Sequence, residues 1–304
     1  MARHGQDKAD VAAVVADTSQ GPIEYTDTGA GPPVLFLHGS PGGCDQGVLM
    51  SRFLAVHHRI IAISRPGYLN TPLAERNRTP SAQADQVAEL MSTLGIDRFG
   101  VMCWSGGGPV SYELAAAHPG RVAAVAVIAG VSTTFNPART LRGRLEMGEE
   151  RMLFTRLGTW FANALVDKAA ATAISTLVAG EGDMTRSQAI QLTAQIMSDP
   201  GQRQFATELF STVTGNRKAG FNNDFEQFRT LDLPLDAITA PVLLVHARTD
   251  ADVPFAQSVR ATDSLPNSRL MTIDVGSHLS AWLGPDAGAV QTAVVRHFRL
   301  HLPW

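Results

Sequence analysis

Apolar positions in the first part of the chain fall in short unbroken runs: Pro33-Val34-Leu35-Phe36-Leu37, Ile60-Ile61-Ala62-Ile63, Phe99-Gly100-Val101-Met102 and Ala123 to Ala129. None alternates apolar with polar residues. Each therefore predicts a strand covered on both faces, as in a parallel sheet between helices. Between the second and third runs the period becomes helical: Val87, Leu90, Met91 and Leu94 stand at i, i+3, i+4 and i+7 and form one stripe. Thr79 is placed as the N-cap, Pro80 occupies the first turn and Gly95 follows the last. Strand, helix and strand in this rhythm predict right-handed βαβ units.

The rhythm breaks after Gly130. The next strand pattern, Val242-Leu243-Leu244-Val245, comes about 110 residues later, whereas a crossover needs only about a dozen. The residues between them keep helical spacing. Leu153, Leu157, Trp160, Phe161, Ala164 and Leu165 make one stripe, and Phe205, Leu209, Phe210 and Val213 make another that Gly215 ends. Thr185 and Gln188 form a capping box ahead of Ile190, Leu192 and Ile196. This is a helical insertion over residues 136–230. It divides an α/β core into a first part, 1–135, and a second part, 231–304. The second part resumes with Leu270 to Ile273 and a last helix carrying Val290, Val294, Val295 and Phe298. There is no internal repeat and no low-complexity tract.

Composition narrows the function classes. The chain has 304 residues, 44% apolar and 17% charged, with a formal net charge of −3. That describes an ordinary globular enzyme with no electrostatic reason to bind nucleic acid. No run reaches the length of a membrane span, and Val11 to Ala16 is too short for a secretory segment. Cys44 and Cys103 make no disulfide framework and no zinc spacing, so reduced thiols in the cytoplasm are expected, with no metal or cofactor. A small molecule is the expected partner. Oligomeric state is not legible.

The chemistry-bearing residues sit where predicted strands end. Cys103-Trp104-Ser105-Gly106-Gly107 follows one strand and opens a helix. A sharp strand-to-helix turn needs small residues two before and two after its apex, and would lift Ser105 above the sheet at a helix N-terminus. Gly107 meets that demand, and Cys103 meets it less well than glycine. Val245-His246-Ala247-Arg248-Thr249-Asp250 places an acid past a second strand, and Val275-Gly276-Ser277-His278 places a histidine past the last one. A serine hydroxyl is a weak nucleophile, so His278 would take its proton and return it to the leaving group. Asp250 would fix the imidazole tautomer, with Asp252 as its rival. His38-Gly39-Ser40-Pro41-Gly42-Gly43 also follows a strand, and the N–H groups of Ser40 and Gly106 could form an oxyanion hole. His57 and His58 are expected at the surface, and His38 and His246 as loop supports. Trp104, Trp160 and Phe161 are candidate substrate contacts, though Trp160, Phe161 and Phe210 fit better as packing inside the insertion.

Together the HGxPG loop at His38 to Gly42, the Arg65-Pro66-Gly67-Tyr68 turn, the elbow and the acid and histidine segments resemble the α/β-hydrolase superfamily. The resemblance runs from about Glu24 to Trp304 outside the insertion, which is similar only to a cap. It implies an eight-stranded, mostly parallel sheet flanked by helices, a lid over the site, and Asp250 rather than Asp252 as the acid. Cys103 and Ser277 stand where glycine is commoner, and Ser64 where many relatives carry Asp. The expected activity is cofactor-free hydrolysis of an ester or lactone of a small, fairly apolar acyl compound. Alternatives are an aminopeptidase, since the HGSPGG loop is similar to that of proline iminopeptidases, a C–C bond hydrolase, or a ligand-binding receptor or scaffold on the same fold. Haloalkane dehalogenases and epoxide hydrolases of this fold resemble the chain but use Asp where it has Ser105.

Overall fold

Successive side chains of a strand point to opposite faces, so a strand without polar positions must be covered twice. A computed structural model, which describes residues 11–136, 171–178 and 180–302, shows how the cover is arranged. Eight strands form one sheet: β1 (Val14–Thr18), β2 (Gly21–Thr28), β3 (Pro33–Leu37), β4 (Arg59–Ile63), β5 (Phe99–Trp104), β6 (Val122–Ile128), β7 (Val242–Ala247) and β8 (Ser268–Ile273). Their order is β1-β2-β4-β3-β5-β6-β7-β8. β2 is antiparallel to β1 and to β4, and every other pairing is parallel.

Alternate residues split the core between the two faces. Phe36, Ala62, Met102, Ala126 and Val245 pack under α1 (Cys44–Met50) and the C-terminal helix Ala287–His301. Leu35, Ile61, Val101, Val125 and Leu244 pack under α2 (Pro80–Thr93), α3 (Gly108–Ala117) and the helix Ala256–Ser264. α2 begins as its sequence predicts: Thr79 Oγ1 accepts the Ala82 N–H at 3.2 Å, with Pro80 in the first turn.

Two strands lack a legible pattern. β1 is an edge strand whose Val14 and Val15 are each 50% exposed. β2 buries polar residues that find distant partners: Glu24 Oε2 accepts from Ser64 Oγ at 2.6 Å. The serine at position 64 thus bridges Glu24 to the Cys44 N–H, which donates to its hydroxyl at 3.0 Å. His58 corrects an expectation. It is buried rather than superficial, because the turn before β4 folds it inward with its ring 6.0 Å from that of Phe298. His57 is half-buried.

Between β6 and β7 the described residues are largely helical. Residues 171–178 are helical, followed by α4 (Arg186–Ser198), α5 (Pro200–Leu209) and α6 (Lys218–Gln227). The capping box of Thr185 and Gln188 starts α4 as expected. The stripe ending at Val213 divides, with α5 closing at Leu209 and a tighter turn over Phe210–Val213. Ile174, Val178, Leu192, Ile196, Phe205 and Leu209 join the same apolar cluster as Trp104 and Trp282, so these helices dock on the core. The stripe from Leu153 to Leu165 lies outside the described residues. No helix among the described residues is long and apolar enough to cross a membrane.

Candidate active site

Strand register brings the predicted loops together. Leu37 pairs with Cys103, Trp104 with Ile128, Ile128 with Val245 and Ala247 with Ile273. The loops after β3, β5, β7 and β8 therefore leave the same edge of the sheet. This is the C-terminal edge, where the strand order reverses between β3 and β5 and where sites in such sheets gather.

Ser105 sits at the apex of the β5–α3 turn with φ of 52°. A left-handed serine costs about 1–3 kcal/mol and persists only where its surroundings hold it. They do so by crowding. A Cβ on Gly107 would stand 2.5 Å from Leu37 O, and one on Gly39 would stand 2.6 Å from Trp104 Cε3 and 3.2 Å from Ser105 Cβ. Cys103 is accommodated because its side chain points into the opposite face, 3.2 Å from Ser111 Oγ. Burial pushes its thiol up to about 12, so it holds no thiolate.

Asp250 and His278 are in contact. His278 Nδ1 lies 2.7 Å from Asp250 Oδ2, both side chains being almost fully buried. A carboxylate only accepts, so Nδ1 carries the proton and Nε2 bears the lone pair. Nε2 is buried and has no hydrogen-bond partner among the described residues. The histidine loop lies beside the elbow: the Trp104 ring is 5.0 Å from the imidazole, and Trp104 Nε1 donates to His278 O at 3.2 Å. Trp104 therefore backs the histidine. Thr249 ties the acid and histidine loops together, its hydroxyl donating to Gly276 O at 2.7 Å and accepting the Gly276 N–H at 2.8 Å. Asp252 does not pair with His278, and its N–H donates to Asp250 Oδ1 at 2.9 Å.

A second histidine shares the acid. His246 Nε2 lies 3.1 Å from Asp250 Oδ2 and 2.9 Å from Val253 O, two acceptors, so it carries a proton. Burial pushes the Asp250 carboxyl up, but the His278 charge and the N–H donors of both histidines outweigh it and bring it down to about 2. Burial likewise opposes the charged form of His278, and the Asp250 charge and hydrogen bond override it, so its pKa lies above the ordinary histidine value.

The residues of the predicted oxyanion hole are in contact, since a Cβ on Gly106 would stand 2.1 Å from Ser40 Oγ. It would also stand 3.2 Å from Phe228 Cζ, a ring contributed from beyond α6. Gln46 braces the loop from below, accepting the Gly39 N–H at 3.0 Å and donating to Pro41 O at 3.0 Å. Trp160 and Phe161 lie outside the described residues. Asp224, Arg65 and Phe228 were not singled out as site residues. Phe221, Asp224, Phe225 and Phe228 stand at i, i+3, i+4 and i+7, an aromatic stripe with an acid inside it, and that pattern was open to reading. Among the described residues no group of three or more His, Cys, Asp or Glu is placed to hold a metal ion.

A sequence model of the alpha/beta hydrolase fold matches residues 32–285. The chain belongs to the alpha/beta hydrolase family. Its structure is similar to that of an alpha/beta hydrolase fold protein from Nakamurella multipartita, 39% identical over 95% of this chain and 99% of that one, with a TM-score of 0.87. Haloalkane dehalogenase 2 of Mycobacterium tuberculosis is 34% identical over 41% of this chain, and the match spans only 43% of the dehalogenase. A 2-hydroxy-6-oxononadienedioate/2-hydroxy-6-oxononatrienedioate hydrolase of Pseudomonas putida is 23% identical over 86% of each chain. The names of these relatives span different bond cleavages, so membership of the family leaves the reaction open.

Proposed function

We propose that this hydrolase cleaves an ester or lactone of a small, fairly apolar acyl compound through an acyl-enzyme on Ser105. The observation that carries the reading is the buried Asp250–His278 pair, its Nε2 without a partner among the described residues, beside the strained elbow. In this reading Nε2 takes the Ser105 proton as Oγ bonds to the carbonyl carbon. The carbonyl electrons move to oxygen and are held by the N–H groups of Ser40 and Gly106. Collapse breaks the bond to the alkoxide, which leaves with the proton from Nε2. Water then repeats the sequence and frees the acid.

Serine at the apex speaks against dehalogenation. Displacing a halide would leave an alkyl ether on Ser105, which no water step releases. Among the described residues the buried arginines speak against a dicarboxylate substrate of the kind named for the Pseudomonas putida relative: Arg65 pairs with Asp224 at 2.6 Å and Arg217 with Asp45 at 2.6 Å. The aromatic stripe near Gly106 favours an apolar acyl part instead. We take the segment 136–230 as a lid over this site.

Ser105→Ala should reduce turnover of a 4-nitrophenyl ester on the order of 10⁶-fold, as loss of the nucleophile does in a comparable triad. A fluorophosphonate should label the wild type at Ser105 and leave the variant unlabelled. Labelling at Cys103 or at another serine would sink the assignment.

A further inference from the structure

An oxyanion donor works only if its peptide aims the N–H at the developing charge. Behind Ser40 that aim is fixed by two side chains. Gly39 O accepts from His38 Nδ1 at 2.7 Å and from Arg65 Nη2 at 3.2 Å. A carbonyl cannot donate, so His38 Nδ1 carries its proton, and Nε2 is free to accept the Arg65 N–H at 2.9 Å. Burial, and then the Arg65 charge, hold His38 neutral by keeping its pKa well below the ordinary value. The Gly39–Ser40 peptide is planar and trans, so its N–H points opposite to its carbonyl. Donors gripping the Gly39 carbonyl on one side therefore aim the Ser40 N–H to the other.

Arg65 is itself held. Its fork meets Asp224, Nη1 to Oδ1 at 2.7 Å and Nη2 to Oδ2 at 2.6 Å, with the side chains 1% and 4% exposed. The hydroxyls of Tyr68 and Ser40 also donate to Asp224 Oδ2. Asp224 lies on α6, in the stretch inserted between β6 and β7. One carboxylate of the insertion thus holds both the Ser40 side chain and the guanidinium that orients the Ser40 peptide.

We propose that Arg65 and Asp224 are positioning residues for the oxyanion hole, through which α6 sets the direction of the Ser40 N–H. The inference rests on the serine-hydrolase reading above. Charge on the substrate oxygen exists only in the tetrahedral state, so misalignment lowers kcat and leaves KM in place. A lysine at position 65 would supply charge without the fork, and would not restore the alignment.

The test compares wild type with Ser40→Ala, Asp224→Asn and Arg65→Lys on 4-nitrophenyl butyrate, each corrected for its active fraction by fluorophosphonate titration. It also measures inhibition by a trifluoromethyl ketone of matching acyl length, whose adduct on Ser105 carries the same oxyanion. Ser40→Ala should lose about tenfold in kcat, and Asp224→Asn and Arg65→Lys on the order of 100-fold, with KM unchanged and the ketone Ki rising in proportion. Unchanged kcat and Ki in Ser40→Ala and Asp224→Asn would overturn the proposal. So would a loss that falls on KM as much as on kcat, which is what a general loosening of the pocket produces. If Asp224→Asn fails to fold, Ser40→Ala decides alone, since it leaves the ion pair intact. Wild-type protein that takes no label at Ser105 would overturn the serine reading itself, whereas normal labelling with unaffected variants overturns only this inference.

Discussion

At the scale of single residues, the site depends on how one buried carboxylate is shared. Asp250 Oδ2 is within reach of both His278 Nδ1 at 2.7 Å and His246 Nε2 at 3.1 Å, while Oδ1 takes the N–H groups of Asp252 and Val253. With its pKa brought down to about 2, Asp250 stays ionised throughout the range in which a histidine titrates. The groups facing His278 are Asp250, the Asp252 charge and the Trp104 ring. The base must be neutral to accept a proton, and the Asp250 charge favours its protonated form. Activity should therefore be lost as pH falls through a single titration whose midpoint lies above the ordinary histidine value of about 6.5. The check is kcat/KM for an ester between pH 4 and 9. A flat profile down to about pH 4 would exclude a histidine base.

At the scale of elements, the elbow shows why local sequence reads so well here. β5 has no polar position, α3 opens directly after it, and the turn between them is too tight for a side chain at position 107, where a Cβ would meet the backbone oxygens of Leu37 and His38 at 2.5 and 2.9 Å. Backbone cannot step aside as a side-chain tip can. Gly107→Ala should therefore destabilise the fold by about 1–3 kcal/mol, the usual range for overpacking. Gly120→Ala, where nothing lies within 4 Å, serves as the neutral control. Coincident urea midpoints for the two variants would show that the turn is looser than its geometry. The inner strands were legible for the same reason as the elbow: burial on both faces writes itself as an unbroken apolar run. β1 and β2 were not, since one is half exposed and the other buries Glu24 against Ser64, a partner 40 positions away. Ser105, Asp250 and His278 could be picked out as candidates because Ser105 follows β5 at once, while Asp250 stands three residues past β7 and His278 five past β8. The position of Asp224 in its aromatic stripe is visible in the sequence, but its role is not, because that depends on Arg65, 159 positions away. The inward turn of His58 had no local signal at all.

At the scale of the molecule, the stretch between β6 and β7 is joined to the site at several places. Asp183 N donates to Thr249 O at 2.7 Å, and the N–H of His278 donates to Glu181 O at 2.9 Å, so the backbone at 181–183 binds both the acid and histidine loops. On the other side Asp224 reaches Ser40, and Phe205 stacks on Trp282 with ring centroids 6.0 Å apart. Such a stretch can select substrate only where its side chains approach the reacting atoms, and Phe228 does so, its Cζ crowding the space above Gly106. Phe228 belongs to a small apolar cluster with Val131 and Val253, distinct from the two cores beneath the sheet faces. Cutting it back should open room at the acyl end without touching the sheet. Phe228→Ala and the milder Phe228→Leu should therefore shift kcat/KM from 4-nitrophenyl acetate toward the octanoate by about tenfold or more, the scale on which a pocket discriminates apolar groups. Labelling of Ser105 by a small fluorophosphonate should persist, because the triad is left whole. If the ranking from acetate to octanoate stays the same and only thermal stability falls, the aromatic stripe is packing alone. Selectivity would then have to be sought in the loop around Ser40.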